Sequence, residues 1–185
     1  MLTFLQDLFS RATEKQLVFF WLIFCFAALT YKLGGVPPYH SDENFYVESS
    51  RNMVQSGDYL TPIYHDKKRF AKPILYYWLV SASYKIFGVN LVSARLTSAF
   101  FGSLTIGLLY LVSSRLFEGR IALYSILILP ATFLHFQISR WATTDIVMSF
   151  FTLLALYFFV RLYQSDFKGN FNICSFYLAR SEELV

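Results

Sequence analysis

The chain has 185 residues, 56% hydrophobic, 20% aromatic and only 15% charged, with a mean hydropathy of +0.45 and a net charge of +4. A soluble domain carries about 25% charged residues; long uncharged runs at this composition indicate a polytopic membrane protein instead. The basic residues gather at the ends of apolar runs and form no stripe, so the charge is a membrane signature and not a nucleic-acid footprint. Cys25 lies in an apolar run and Cys174 in the tail, neither with a C-x-x-C partner, so they imply neither a metal cage nor a disulfide framework.

Residues 1–16 place Phe4, Leu5, Leu8 and Phe9 on one helical face, with Asp7 and Arg11 elsewhere. Two readings stand, an amphipathic helix on the membrane or a frayed end. The uncharged run 17–31 follows Arg11 and Lys15 as a signal peptide would, but LGGVPPY comes after it in place of an A-x-A site, so residues 17–33 are expected to be an uncleaved first span. Gly34, Gly35, Pro37 and Pro38 end it.

Residues 37–72, PPYHSDENFYVESSRNMVQSGDYLTPIYHDKKRFAK, form a long polar stretch between apolar segments and collect acids, bases, histidines and tyrosines. A helix is predicted from Ser41 or Asp42, either of which can cap it, to Gly57 as the residue after its last turn. The run 73–84 is apolar but has only 12 residues between Lys72 and Lys85. A helix of about 18 Å is too short to cross a bilayer, and its tyrosines and tryptophan suit the interface. It is expected to lie against the membrane.

Three uncharged runs follow: 96–114 and 121–139, 19 residues each, and 146–160, 15 residues. Nineteen helical residues span about 28 Å, close to the hydrocarbon thickness. Pro130 is expected to kink the third span, and Glu118–Arg120 to make a tight hairpin. The fold class is therefore an all-α membrane protein with about four transmembrane helices and a large first extracytoplasmic loop, residues 36–92, carrying interfacial helices. Residues 1–16 are an N-terminal segment, 17–163 the membrane module and 164–185 a tail.

This arrangement puts the 37–72 loop and the turn before Asp145 on one side of the membrane. Counting Lys and Arg in the loops favours the reverse orientation. The compact basic cluster 67–72 is taken instead as a phosphate-binding feature of the extracytoplasmic face.

Asp42 admits two readings, an acidic first turn complementing the helix dipole or a carboxylate that takes a proton from an attacking group. Lys72 and Arg140 either snorkel at helix ends or meet a phosphate. Asp145 or Thr144 either caps the last helix or serves chemistry. His65 and Asp66 lie close in sequence as weak candidate metal ligands or as a solvated turn, and His135 suits a buried histidine better than a ligand.

The ordered set Asp42-Glu43-x2-Tyr46, Gly57-Asp58-Tyr59-x2-Pro62, Lys72-Pro73-x3-Tyr77-Trp78, Phe87-Gly88, Ala94-Arg95-Leu96 and Arg140-x4-Asp145 resembles the N-terminal region of a family of membrane glycosyltransferases. That family includes the lipid A aminoarabinose transferases and the protein O-mannosyltransferases, and the resemblance covers roughly residues 17–163. It implies transfer of a sugar from a polyprenyl-phosphate donor to a lipid or protein hydroxyl at the outer face of a bacterial inner membrane. By this resemblance Asp42 and Asp145 are candidate catalytic residues, and Lys72 and Arg140 candidate donor-phosphate ligands. Glu43, Tyr46 and Tyr59 are candidate substrate contacts.

The chemistry agrees. A phosphate leaving group is already a stable anion, so the site needs a base at the acceptor hydroxyl and positive charge at the phosphate. Ala71 stands where the aminoarabinose transferases have a metal-binding glutamate, which speaks against a divalent metal; Ile74 in place of a second proline is a minor departure. The family continues with more membrane helices, so the chain is expected to be an N-terminal part, from a truncated or interrupted product. A rival reading is a non-catalytic prenyl-phosphate-binding or assembly subunit. A transporter is disfavoured, because the charges sit at run ends and not at the midplane.

Overall fold

The computed structural model describes residues 14–38, 41–117 and 119–164. The N-terminal segment (apart from its last residues), the tail beyond 164 and Glu118 of the expected hairpin lie outside the described residues.

The elements in chain order are α1 (Glu14–Thr30), α2 (Ser41–Ser56), a hairpin of β1 (Ile63–Tyr64) and β2 (Lys67–Lys68), α3 (Ile74–Phe87), α4 (Leu91–Leu116), α5 (Gly119–Ala131), α6 (Phe133–Ile138) and α7 (Asp145–Gln164). The predicted loop helix is α2. It stops where Gly57 takes φ +75° and donates its N–H to the Met53 carbonyl at 3.0 Å, a left-handed conformation that favours glycine. The 14 residues of α3 make a helix of about 21 Å, still short of a bilayer.

Helix α4 is the spine, packed against α1, α3, α5 and α7. Asn90 caps it, its side-chain oxygen accepting the Ser93 N–H at 2.9 Å. Its buried face is rich in small residues, including Ala94, Ser98, Ala99 and Gly102, which let neighbouring helices approach closely. At Gly102 a Cβ would collide with the Ser139 side chain, so glycine is what admits the chain after α6.

About four spans were expected; among the described residues two helices are long and apolar enough to cross a membrane, α4 and α7, and two are shorter and apolar, α1 and α5. The third expected span is broken, not kinked. Helix α5 ends at Ala131, Thr132 is extended at ψ 134°, and α6 then begins. Pro130 lacks the N–H that would bond the Ile126 carbonyl one turn back. The Trp21 indole N–H of α1 takes that carbonyl instead, at 2.9 Å. The break and the α1–α5 contact thus share one cause.

Two apolar clusters result. One gathers Tyr46, Met53, Tyr76, Tyr77, Val80, Tyr84, Ala94, Phe101, Ala142, Ile146 and Val147, and joins α2 and α3 to α4 and α7. The other, around Val18, Cys25, Ile106 and Ile126, joins α1, α4 and α5.

Candidate active site

The site is built from the start of α2 outward. One face of α2 turns inward through Glu43, Tyr46, Ser50 and Met53, at helical spacing. Glu43 is fully buried, and Arg95, in the second turn of α4, meets it there. The guanidinium grips the carboxylate with both edges, Nε to Oε1 at 2.7 Å and Nη2 to Oε2 at 2.9 Å. Its Nη1 donates to the Leu33 and Val36 carbonyls at 2.7 and 2.8 Å. Glu43 Oε1 also accepts the Ala142 N–H at 3.0 Å. One buried ion pair therefore ties together the chain after α1, the first turn of α2, the start of α4 and the loop before α7.

Arg140 completes this scaffold. Its Nη1 donates to the Leu29 carbonyl at 2.9 Å and its Nη2 to that of Tyr31 at 2.8 Å. It thus caps the C-terminal end of α1, where carbonyls lack helix partners and a cation is favoured.

Asp42, beside Glu43, faces the other way. It stays partly exposed, and Lys72 Nζ lies 3.5 Å from its Oδ2. The buried Tyr46 hydroxyl donates to Thr144 Oγ1 at 3.3 Å, which brings the residue before Asp145 against α2. Burial raises the Tyr46 phenol above its ordinary value; the Thr144 bond and Arg69 oppose this, and the negative charges of Asp42 and Asp145 add to it. Asp145 is exposed at the start of α7. Tyr77, raised chiefly by burial, is also influenced by Arg69, Lys72 and Asp42. An apolar cleft of about 300 Å³ opens beside this cluster, lined among others by Pro73, Tyr76, Thr144, Val147 and Phe151.

The structure therefore brings together Asp42, Lys72, Tyr46 and Asp145 among the expected site residues. It gives three others different surroundings. Glu43, expected at the substrate, is enclosed and engaged by Arg95, and Arg140, expected at the donor phosphate, is held by α1 carbonyls. Tyr59 lies apart, its carbonyl accepting the Trp78 indole N–H at 2.6 Å and its ring carrying Lys85 Nζ 4.5 Å from the centroid. It lines a separate cleft of about 280 Å³ with Trp78, Ser81, Ala82 and Lys85. Tyr46 contributes only a buried hydroxyl.

His65 and Asp66 take φ of +45° and +59° at the two-residue turn between β1 and β2, as a type I′ hairpin turn requires. His65 lies 3.8 Å from Glu48. Residue 71 is an alanine, and among the described residues no three His, Cys, Asp or Glu side chains gather.

Arg95 is what the sequence reading missed. It was visible as a boundary of an apolar run and within Ala94-Arg95-Leu96. The sharper signal is a cation near the N-terminal end of a helix, where the dipole disfavours it and a buried acid has to answer it.

Apolar side chains cover the outside of the bundle, among them Phe20 and Phe24 on α1, Tyr124 and Ile128 on α5, and Phe159 and Leu162 on α7. Only 17% of the apolar window of α7 is buried. Such continuous apolar cover on a water-soluble monomer would be anomalous. The fold and the charged cluster at one end of it define a helical integral membrane protein with a polar site beside its spans.

Comparison with known proteins makes this specific. Residues 71–179 match the dolichyl-phosphate-mannose-protein mannosyltransferase family, and the chain belongs to that family. An uncharacterized protein of Aquifex aeolicus is 40% identical over 69% of this chain and 26% of its own length. An undecaprenyl phosphate-alpha-4-amino-4-deoxy-L-arabinose arabinosyl transferase of Photorhabdus laumondii is 33% identical over 74% of this chain and 25% of its own length. Among solved structures, ArnT from Cupriavidus metallidurans bound to undecaprenyl phosphate is similar with a TM-score of 0.73 and 28% identity, over 80% of this chain and 27% of that one. The chain thus spans about a quarter of the length of the relatives it matches.

Proposed function

We propose that this chain carries the first-loop part of the active site of a glycosyltransferase that moves a sugar from a polyprenyl-phosphate donor to a hydroxyl of a lipid or protein. The observation that carries this reading is the Asp42–Lys72 pair, partly exposed at 3.5 Å beside the loop that leads into Asp145. In the reaction the bond between the anomeric carbon and the phosphate oxygen breaks, and a bond from that carbon to the acceptor oxygen forms. The acceptor proton passes to Asp42, and the phosphate leaves as an anion beside Lys72. Asp145 supplies a second carboxylate at the acceptor side. The apolar cleft along Pro73, Tyr76, Val147 and Phe151 suits a hydrocarbon chain whose head reaches the charged cluster.

In the membrane we place α1, α4, the α5–α6 pair and α7 as four spans, with α3 against the interface and the site at the extracytoplasmic face. The test is Asp42→Asn in the full chain, assayed for sugar transfer and for undecaprenyl phosphate binding. Transfer is expected to fall by at least 10²-fold, the low end of general-base contributions, with lipid binding kept. Transfer that survives the substitution would remove Asp42 as the base. Lipid binding by a wild-type chain with no transfer would favour a non-catalytic prenyl-phosphate-binding subunit.

A further inference from the structure

Arg69 has a role that the family resemblance does not assign. It follows β2 and reaches back across α2, with its Cζ 3.4 Å from the centre of the Phe45 ring. A guanidinium over an aromatic face is held there by cation–π attraction while its N–H groups stay available at the rim. Its Nε is buried with no hydrogen-bond partner, and none of the salt bridges among the described residues includes Arg69.

The spacing repeats on both partners. Asp42 and Phe45 stand three residues apart, neighbours on the surface of α2, and Lys72 and Arg69 are three residues apart in the segment between β2 and α3. Asp42 holds Lys72, and Phe45 holds Arg69. Two cations are thereby set side by side, one on a carboxylate that is itself half open and one on a neutral ring. The Tyr77 hydroxyl, buried and without a partner, feels the charges of Arg69, Lys72 and Asp42. A buried guanidinium N–H and a buried hydroxyl both lacking partners next to two positive charges are complementary to a multivalent oxyanion.

We propose that Arg69, seated on Phe45, is the second cation of an anion site shared with Lys72, and that this site takes the phosphate headgroup of the polyprenyl donor. The inference rests on the glycosyltransferase reading for the identity of the lipid. Phe45 acts as a positioning residue, fixing the guanidinium without touching the phosphate.

The test uses the purified full chain in detergent, with undecaprenyl phosphate as the probe and inorganic phosphate as the competing source of the same chemistry. Arg69→Ala is expected to weaken undecaprenyl phosphate binding about 10- to 100-fold, as loss of a hydrogen bond to a charged group does. Arg69→Lys, which keeps the charge but not the planar fork, should fall between wild type and alanine. Phe45→Leu should weaken binding by several-fold, while Arg51→Ala, one positive charge removed from an exposed position of α2 outside the 67–72 cluster, leaves it unchanged. Binding lowered by Lys72→Ala but not by Arg69→Ala or Arg69→Lys would overturn the inference and leave the glycosyltransferase reading intact. An equal loss in Arg51→Ala would also overturn it, because the attraction would then be diffuse. Inorganic phosphate bound more tightly than the lipid, with the same dependence on Arg69, would overturn the headgroup assignment. A wild-type chain that binds no undecaprenyl phosphate would overturn both the inference and the reading beneath it.

Discussion

Asp42 and Glu43 are adjacent acids in the first turn of one helix, each facing a cation from a distant segment, yet their surroundings are opposite. Glu43 is fully buried against Arg95, which is only 3% exposed, and every oxygen of the pair's carboxylate has a partner. Asp42 and Lys72 keep side-chain exposures of 34% and 40% at a looser 3.5 Å. A buried, bidentate pair fixes backbone positions and leaves no capacity for a reactant, whereas a half-open pair contributes little to stability. The comparison separates an enclosed acid that holds the scaffold together from a half-open one proposed to act in the site, a distinction that residue type alone does not make.

Several substitutions would break or sharpen this contrast. The largest effect on stability is expected from Arg95→Ala, which leaves Glu43 charged and enclosed; about 3–5 kcal/mol should be lost, read from denaturation of the detergent-solubilised chain. A smaller loss, about 1–3 kcal/mol, is expected from Trp21→Phe, which strands the carbonyl that Pro130 already deprives of its helix partner. The double variant Trp21→Phe with Pro130→Ala should recover part of that loss, because alanine restores an N–H to the helix. Lys72→Ala is expected to cost less than about 1 kcal/mol while sharply reducing donor binding. Equal destabilisation by Arg95→Ala and Lys72→Ala would erase the difference between the two pairs.

How much was legible in the sequence follows the same division. The bounds of α2 were legible because its end is written in local chemistry, a glycine whose left-handed φ stops the helix. The short apolar α3 was legible from length alone. The pairing of Glu43 with Arg95 was not, because 52 residues separate them and no periodicity links them. Arg140 illustrates the limit: its place before Asp145 is visible in the chain, but its commitment to the end of α1 depends on which helix lies alongside. Pro130 announced a distortion, yet whether the helix bends or breaks depended on Trp21 reaching Ile126 from another helix. The turn at His65 and Asp66 was among the readings of the sequence, but its hairpin type was not, since type I′ turns are usually marked by Asn-Gly or Asp-Gly.

The central claim is that the start of α2 and the start of α7 meet on one side of the membrane, the outer one. Single cysteines introduced by Asp42→Cys and Asp145→Cys, in a chain with Cys25 and Cys174 replaced by serine, test it when sealed vesicles are treated with a membrane-impermeant thiol reagent. Labelling of both positions from the extracytoplasmic side is the predicted result; labelling of the two positions from opposite sides would contradict the account.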